Sequence, residues 1–120
     1  MKRFRGELDN VEFIDLRSGS DYENWHEPGA INLNLGELRN FIEHADRFKN
    51  YVFYCKKGLN SAYAASIMSK HGFNAYYVSE RDLKSMQKLI KFIFNIFLVS
   101  NGSEHIHIPP ILHCEIIYFP

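Results

Sequence analysis

The sequence predicts an α/β domain in which a mostly parallel sheet is flanked by helices. Two observations carry that expectation. Short β-rich runs alternate with segments of helical spacing, which is the pattern of strand–helix–strand units. The strongest β-rich run, Tyr51-Val-Phe-Tyr54, leads through a short loop into a helix dotted with alanine, so sheet and helix approach closely. Right-handed crossovers are the default for such units.

The elements follow in order. Val11-Glu-Phe-Ile-Asp15 reads as a short apolar strand. Ser20-Asp-Tyr-Glu23 fits a capping box, with the serine accepting an early helical N–H and the glutamate reaching back. His26-Glu-Pro-Gly29 ends that short helix, and Ala30 to Leu33 reads as a second strand. Asn34-Leu-Gly-Glu37 caps a helix running through His44, with Leu38, Phe41, Ile42 and Ala45 on one face. Tyr51 to Tyr54 is bounded by Asn50 and Cys55, and the loop Cys55 to Asn60 opens a helix from about Ser61 to His71. Ala62, Ala64 and Ala65 let that helix sit against the sheet, and Gly72 suits the left-handed residue after its end. Ala75-Tyr-Tyr-Val78 is the next strand.

Beyond this strand the chain changes character. Residues 1–88 hold 13 basic and 12 acidic side chains, whereas residues 89–120 hold one and two, and 12 of those 32 residues are Ile or Phe. The shift sets a boundary near 80–83, giving a domain over 1–82 and an extension over 83–120, read as an apolar helix followed by an irregular or β tail. Leu83, Met86, Leu89, Ile90, Ile93, Phe94 and Phe97 follow helical spacing and are expected to pack on the sheet.

Fourteen Lys and Arg balance fourteen Asp and Glu across 120 residues, so no basic surplus favours nucleic acid. The apolar stretch Leu89 to Val99 falls short of the roughly 20 residues a bilayer needs, and no membrane span is expected. No apolar h-region follows Met-Lys-Arg-Phe-Arg-Gly at the start, and two cysteines do not make a disulfide scaffold. A cytoplasmic location is the expectation.

Chemistry concentrates at Cys55-Lys-Lys-Gly-Leu-Asn-Ser61. A cysteine at the carboxyl end of a parallel strand, before a helix N-terminus, lies where such sheets bind ligands. Curled backbone N–H groups, the helix dipole, Lys56 and Lys57 all favour a thiolate, and Gly58 permits backbone angles that a side chain resists. The expectation is a nucleophilic Cys55 facing an anion cradle. The alternative for such a residue is a small buried hydrophobe closing a strand. Cysteine phosphatases need an Arg at the end of a Cys-x5-Arg loop, and position 61 is Ser, which disfavours that chemistry.

Phe13-Ile-Asp-Leu-Arg-Ser-Gly-Ser-Asp-Tyr-Glu-Asn-Trp-His-Glu-Pro-Gly-Ala-Ile-Asn32 resembles the opening of a rhodanese-like domain. The family pattern is met at Asp15 and Arg17, at the acidic-aromatic pair Asp21 and Tyr22, and at His26, Pro28, Gly29, Ala30 and Asn32. Cys55 to Ser61 falls where the family has its active-site loop, and the resemblance extends over residues 11–79. It implies a three-layer sandwich around a mostly parallel sheet, here with less chain before Asp15 and a different segment after Val78, as if truncated at the ends.

The resemblance also implies sulfur transfer. A cysteine attacks the outer sulfur of a donor such as thiosulfate, releases sulfite and carries a persulfide, which a thiol, cyanide or a protein acceptor then discharges. Cys55 is the implied nucleophile. Lys56, Lys57, Gly58, Leu59, Asn60 and Ser61 form the implied substrate cradle, with the lysines supplying positive charge. Asp15 and Arg17 are the implied structural ion pair near the loop. No cofactor and no metal are expected. The alternative from a different class is a catalytically silent rhodanese-like module that binds a partner or senses redox state.

The chain differs from the family pattern at Trp25, usually Gly, at Glu27, usually apolar, at Asn34, commonly Pro, and at Asn60, often Arg. Ser79-Glu-Arg-Asp82 replaces a Gly-Gly turn before a Trp-bearing helix. His105, His107 and His113 beside Cys114 are read as ordinary surface or core residues, the sequon Asn101-Gly-Ser103 as incidental, and Pro109-Pro110 as a turn or stiff connection.

Overall fold

A computed structural model of the chain describes residues 2–6 and 8–101. Five parallel strands form one sheet: β1 (Lys2–Arg3), β2 (Val11–Asp15), β3 (Ile31–Asn32), β4 (Asn50–Cys55) and β5 (Asn74–Ser79), in the order β1-β5-β4-β2-β3. The helices are α1 (Gly19–Asn24), α2 (Leu38–Glu43), α3 (Leu59–Lys70) and α4 (Glu80–Asn101). Flanking helices on a parallel sheet match the expected α/β class.

Both faces of the sheet are covered, which is why its strands read as apolar runs. Successive side chains on β4 alternate between the two cores. Tyr51 and Phe53 join Ile14, Leu38, Ile42, Ala64, Ala65, Met68 and Phe73 on one side. Val52 and Tyr54 join Phe4, Phe13, Ala30, Val78 and Leu83 on the other. Two of the three alanines named in α3 do as expected: Ala64 and Ala65 are fully buried against the first core, while Ala62 is half-buried. Leu38 and Ile42 are buried in it, with Phe41 and Ala45 packed alongside.

Several elements differ from the sequence reading. The first helix is capped by Ser18, whose hydroxyl accepts from the Asp21 N–H at 3.2 Å, and not by Ser20. The physical reason lies one residue upstream: Arg17 is buried and its N–H is held by the Asp15 carboxylate at 2.8 Å, so the chain must turn at once. The second cap matches, with Asn34 and Glu37 bonding reciprocally at 3.0 and 3.1 Å, although its first turn, Leu35–Glu37, is a 3₁₀ turn. The second strand contracts to Ile31–Asn32 because it sits at the sheet edge with one partner, β2. Helix α3 starts at Leu59, two residues early, because Gly58 at φ +94° completes the turn by itself. Gly72 at φ +86° ends that region in the left-handed conformation expected of it.

The edge strand β1 was not anticipated: Lys2 and Arg3 pair with Tyr76 and Tyr77, and the Phe4 N–H donates to the Tyr77 carbonyl at 2.9 Å. Helix α4 begins directly after β5, where the Ser79 hydroxyl accepts from the Asp82 N–H at 3.2 Å. Of the apolar stripe, Leu83 is fully buried and Met86 packs on the second core, whereas Leu89 and Ile93 are exposed. Among the stripe residues whose side chains are described, the first turns therefore pack on the sheet while Leu89 and Ile93 do not. Among the described residues no helix is long and apolar enough to cross a membrane. His105, His107, His113, Cys114, Ser103 and the Pro109-Pro110 pair lie outside the described residues.

Candidate functional site

Strand β4 ends on Cys55, and the turn Lys56–Gly58 hands the chain to α3. The positive φ of Gly58 curls this turn so that peptide N–H groups face inward. The Gly58 N–H donates to the Cys55 sulfur at 3.1 Å, and the Ser61 N–H donates to the same atom at 3.3 Å. The sulfur thus sits within the first turn of a twelve-residue helix, at the positive end of its dipole. The thiol itself donates to the Ser61 hydroxyl at 3.3 Å. Cys55 is 5% exposed and borders an opening in the surface.

That opening is a cavity of about 360 Å³ lined by Leu16, Arg17, Ser18, Asp21, Cys55, Lys56, Lys57, Leu59 and Asn60. Five residues named from the sequence therefore meet in front of the sulfur: Lys56, Lys57, Leu59, Asn60 and Arg17. Gly58 and Ser61 lie behind it and supply the two N–H donors. Lys56 and Lys57 are exposed, and the Lys56 ammonium lies 3.9 Å from the Asp21 carboxylate across the mouth. A larger groove of about 790 Å³ between α2 and α3, floored by Leu38, Ile42, Ile67 and Phe73, has no cysteine in its wall.

Arg17 borders the cavity but its charge is spent internally. Its Nε and Nη2 hold the fully buried Asp15 carboxylate at 2.7–3.1 Å, and its Nη1 holds Glu80 at 2.6 Å. Nη2 also donates to the Trp25 carbonyl. The guanidinium lies 5.3 and 5.4 Å from the Trp25 and Tyr54 ring centres. Burial works against this charge, yet the Asp15 bonds and charge and the Glu80 bond outweigh it and hold the guanidinium above its ordinary range. Burial likewise pushes the Tyr54 phenol well above its ordinary value. Asp15 and Arg17 are thus joined in a buried ion pair beside the loop.

The remaining motif residues are structural. The Asn32 amide donates to the Asp15 and Arg17 carbonyls at 3.0 Å each, fixing the turn after β2. His26 stacks on Tyr22 at 3.8 Å, and its Nδ1 donates to the Tyr22 carbonyl at 2.6 Å. Sequence reasoning missed the site contributions of Ser18, Asp21, Leu16 and Glu80. The Ser18-x-x-Asp21 spacing is itself a cap signature and was legible. Glu80 was not, because its partner lies 63 residues earlier.

Comparison with known proteins identifies relatives of this chain and of its fold. The rhodanese-like domain family matches residues 1–89. A tRNA sulfurtransferase of Thermoplasma acidophilum is 49% identical over 71 residues, which is 59% of this chain and 14% of that enzyme. The thiosulfate sulfurtransferase GlpE of Shewanella oneidensis is 37% identical over 71 residues, 59% of this chain and 70% of that protein. Among solved structures, a rhodanese-related protein from Thermoplasma volcanium superposes with a TM-score of 0.54 and 27% identity, covering 58% of this chain and 70% of that one. The chain spans about a seventh of the tRNA sulfurtransferases it matches.

Proposed function

Because the chain belongs to the rhodanese-like domain family, we propose that it is a sulfurtransferase that carries sulfane sulfur as a persulfide on Cys55. One observation supports the reading most: two peptide N–H groups converge on a single sulfur at the floor of a cavity walled by Lys56 and Lys57. Donors aimed at a sulfur favour its anionic, nucleophilic form.

The reaction divides into two displacements. The Cys55 thiolate attacks the outer sulfur of thiosulfate, an S–S bond forms, and the bond to the sulfonate sulfur breaks with its electron pair leaving on sulfite. The charge then rests on the outer sulfur. In the second step an acceptor thiolate or cyanide takes that sulfur, and the pair returns to the Cys55 sulfur. Lys56 and Lys57 attract the anionic donor to the mouth, while the cavity volume suits a small oxyanion. Fixed N–H dipoles need no reorganisation as charge moves between the two sulfurs.

Intact-mass measurement after incubation with thiosulfate tests the reading. The parent gains one sulfur and Cys55→Ser gains none. A parent that gains nothing with thiosulfate or with other sulfane donors overturns the enzyme reading and leaves the catalytically silent binding or redox-sensing module in its place.

A further inference from the structure

Ser61 presents more than its peptide nitrogen. Its side chain is fully buried, and its hydroxyl oxygen lies 3.3 Å from the Cys55 sulfur, 3.0 Å from the Gly58 carbonyl and 3.2 Å from the Val78 carbonyl. A hydroxyl owns one proton and two lone pairs. With Cys55 as a thiol, the S–H donates to Oγ and the Oγ–H donates to one of the two carbonyls. With Cys55 as a thiolate, the sulfur only accepts, and the best use of the hydroxyl proton changes.

We propose that Ser61 is a catalytic residue whose hydroxyl proton turns from a backbone carbonyl to the Cys55 sulfur whenever that sulfur is charged, making it a third donor beside the Gly58 and Ser61 N–H groups. The proposal rests on Cys55 being the nucleophile of the reading above. The turn is cheap on the carbonyl side, because the Gly58 carbonyl also accepts the Ala62 N–H at 3.0 Å and keeps a partner when the hydroxyl leaves. It is rewarded on the sulfur side, because a hydrogen bond to an ionised acceptor is roughly twice as strong as one between neutral groups.

Proton and electrons balance through the cycle. The thiol proton passes to solvent, and the hydroxyl proton turns to the sulfur but stays on Ser61. When the sulfur gives its pair to the donor's outer sulfur, sulfite leaves with the broken bond's pair and the hydroxyl is released to a carbonyl. When the acceptor removes the outer sulfur, the pair returns to the Cys55 sulfur and the hydroxyl turns back. The same proton thus serves the sulfur as nucleophile and again as leaving group.

The test is the pH–rate profile of iodoacetamide alkylation at Cys55, measured on the full chain in a Cys114→Ser background, for Ser61, Ser61→Ala and Ser61→Thr. Thermal unfolding of each variant confirms that it is folded. The alanine variant is expected to react about tenfold more slowly at neutral pH, with its profile displaced toward alkaline pH, as fits loss of one bond to an ionised group. Threonine keeps the hydroxyl and is expected to track the parent. An alanine profile that superimposes on the parent's overturns the proposal, and so does a threonine profile displaced like alanine's. If threonine does not fold, the alanine comparison alone decides. The outcome is separable from the sulfur-transfer reading: no sulfur gain by the parent sinks that reading, while alkylation still reports on Ser61.

Discussion

Two glycines bracket α3, and they separate the chemistry of the site from the stability of the helix. Gly58 has φ +94° and Gly72 has φ +86°, a region that L side chains rarely occupy. An added Cβ at Gly58 meets its nearest neighbour, the Ser79 Cβ, at 3.7 Å, which is ordinary contact. An added Cβ at Gly72 meets the end of the flexible Arg47 side chain at 3.2 Å. Neither substitution is chiefly a packing test, so the cost of alanine at either position is mainly backbone strain, about 1–3 kcal/mol. For a chain of this size that corresponds to a fall in melting temperature of roughly 5–15 °C. The two variants are therefore expected to be similarly destabilised. They diverge at the sulfur. Relaxation of φ at position 58 rotates the N–H that donates to Cys55, whereas position 72 lies at the far end of the helix. Weakening one donor to a charged sulfur lowers its alkylation rate at neutral pH about 10- to 100-fold in Gly58→Ala. Gly72→Ala keeps the parent rate. Thermal unfolding and iodoacetamide kinetics on both proteins provide the comparison. Equal rate losses in the two variants, or an unchanged rate in Gly58→Ala, refute the claim that the Gly58 amide serves the sulfur.

Two further outcomes are expected elsewhere in the site wall. Asp15→Asn leaves the buried Arg17 guanidinium with Glu80 as its only charged partner among the described residues, and urea denaturation should show a loss of about 3–5 kcal/mol, the range for breaking a buried pair on one side. Tyr54→Phe removes the acceptor of the buried Glu27 N–H, bonded at 3.1 Å, and should cost about 1–3 kcal/mol at neutral pH. Burial also raises the Tyr54 phenol in the folded state, so its contribution is fully present below the unfolded value of about 10 and is lost as pH climbs through the folded one. Stability measured across alkaline pH should fall less steeply in Tyr54→Phe than in the parent, with Tyr51 and Lys49, both raised in the folded state, contributing to the fall that remains.

The parts of the fold legible from sequence are those whose signals are local. The Asn34 and Glu37 cap, the apolar runs of β2, β4 and β5, and the Cys55 turn with its glycine all declare themselves within a few residues. What escaped depends on distant partners. A two-residue strand such as Lys2–Arg3 carries no periodicity and exists because β5 offers an unpaired edge. The apolar stripe after Leu83 has helical spacing along its length, but spacing cannot say how far the sheet reaches, and Leu83 is fully buried while Leu89 and Ile93 are exposed. At the site, the cysteine and its loop were visible, whereas the arrangement of residues within the loop was not. Only the three-dimensional turn shows that Gly58 and Ser61 stand behind the sulfur and that Leu59 and Asn60 stand before it.

The departures from the family pattern at Trp25, Glu27 and residues 79–82 look unrelated in sequence, and the structure joins them. Glu80, which stands where the family turns on glycine, holds Arg17 from one side. Trp25, which stands where the family has glycine, covers the same guanidinium with its ring and receives Lys84 on that ring at 5.1 Å. Glu27, buried where the family is apolar, accepts from the Gln87 side-chain amide on the next turn of α4. Each unusual residue in the turn before β3 therefore meets a residue of α4, and Arg17 lies between them. Gln87 and Glu80 each add a hydrogen bond to a charged group that this wall buries. The substitutions make sense as one set that docks α4 on the wall of the Cys55 cavity. Through Arg17, which lines that cavity and is fixed by β2 and α4 together, the first turns of α4 help set the shape of the entrance to the sulfur.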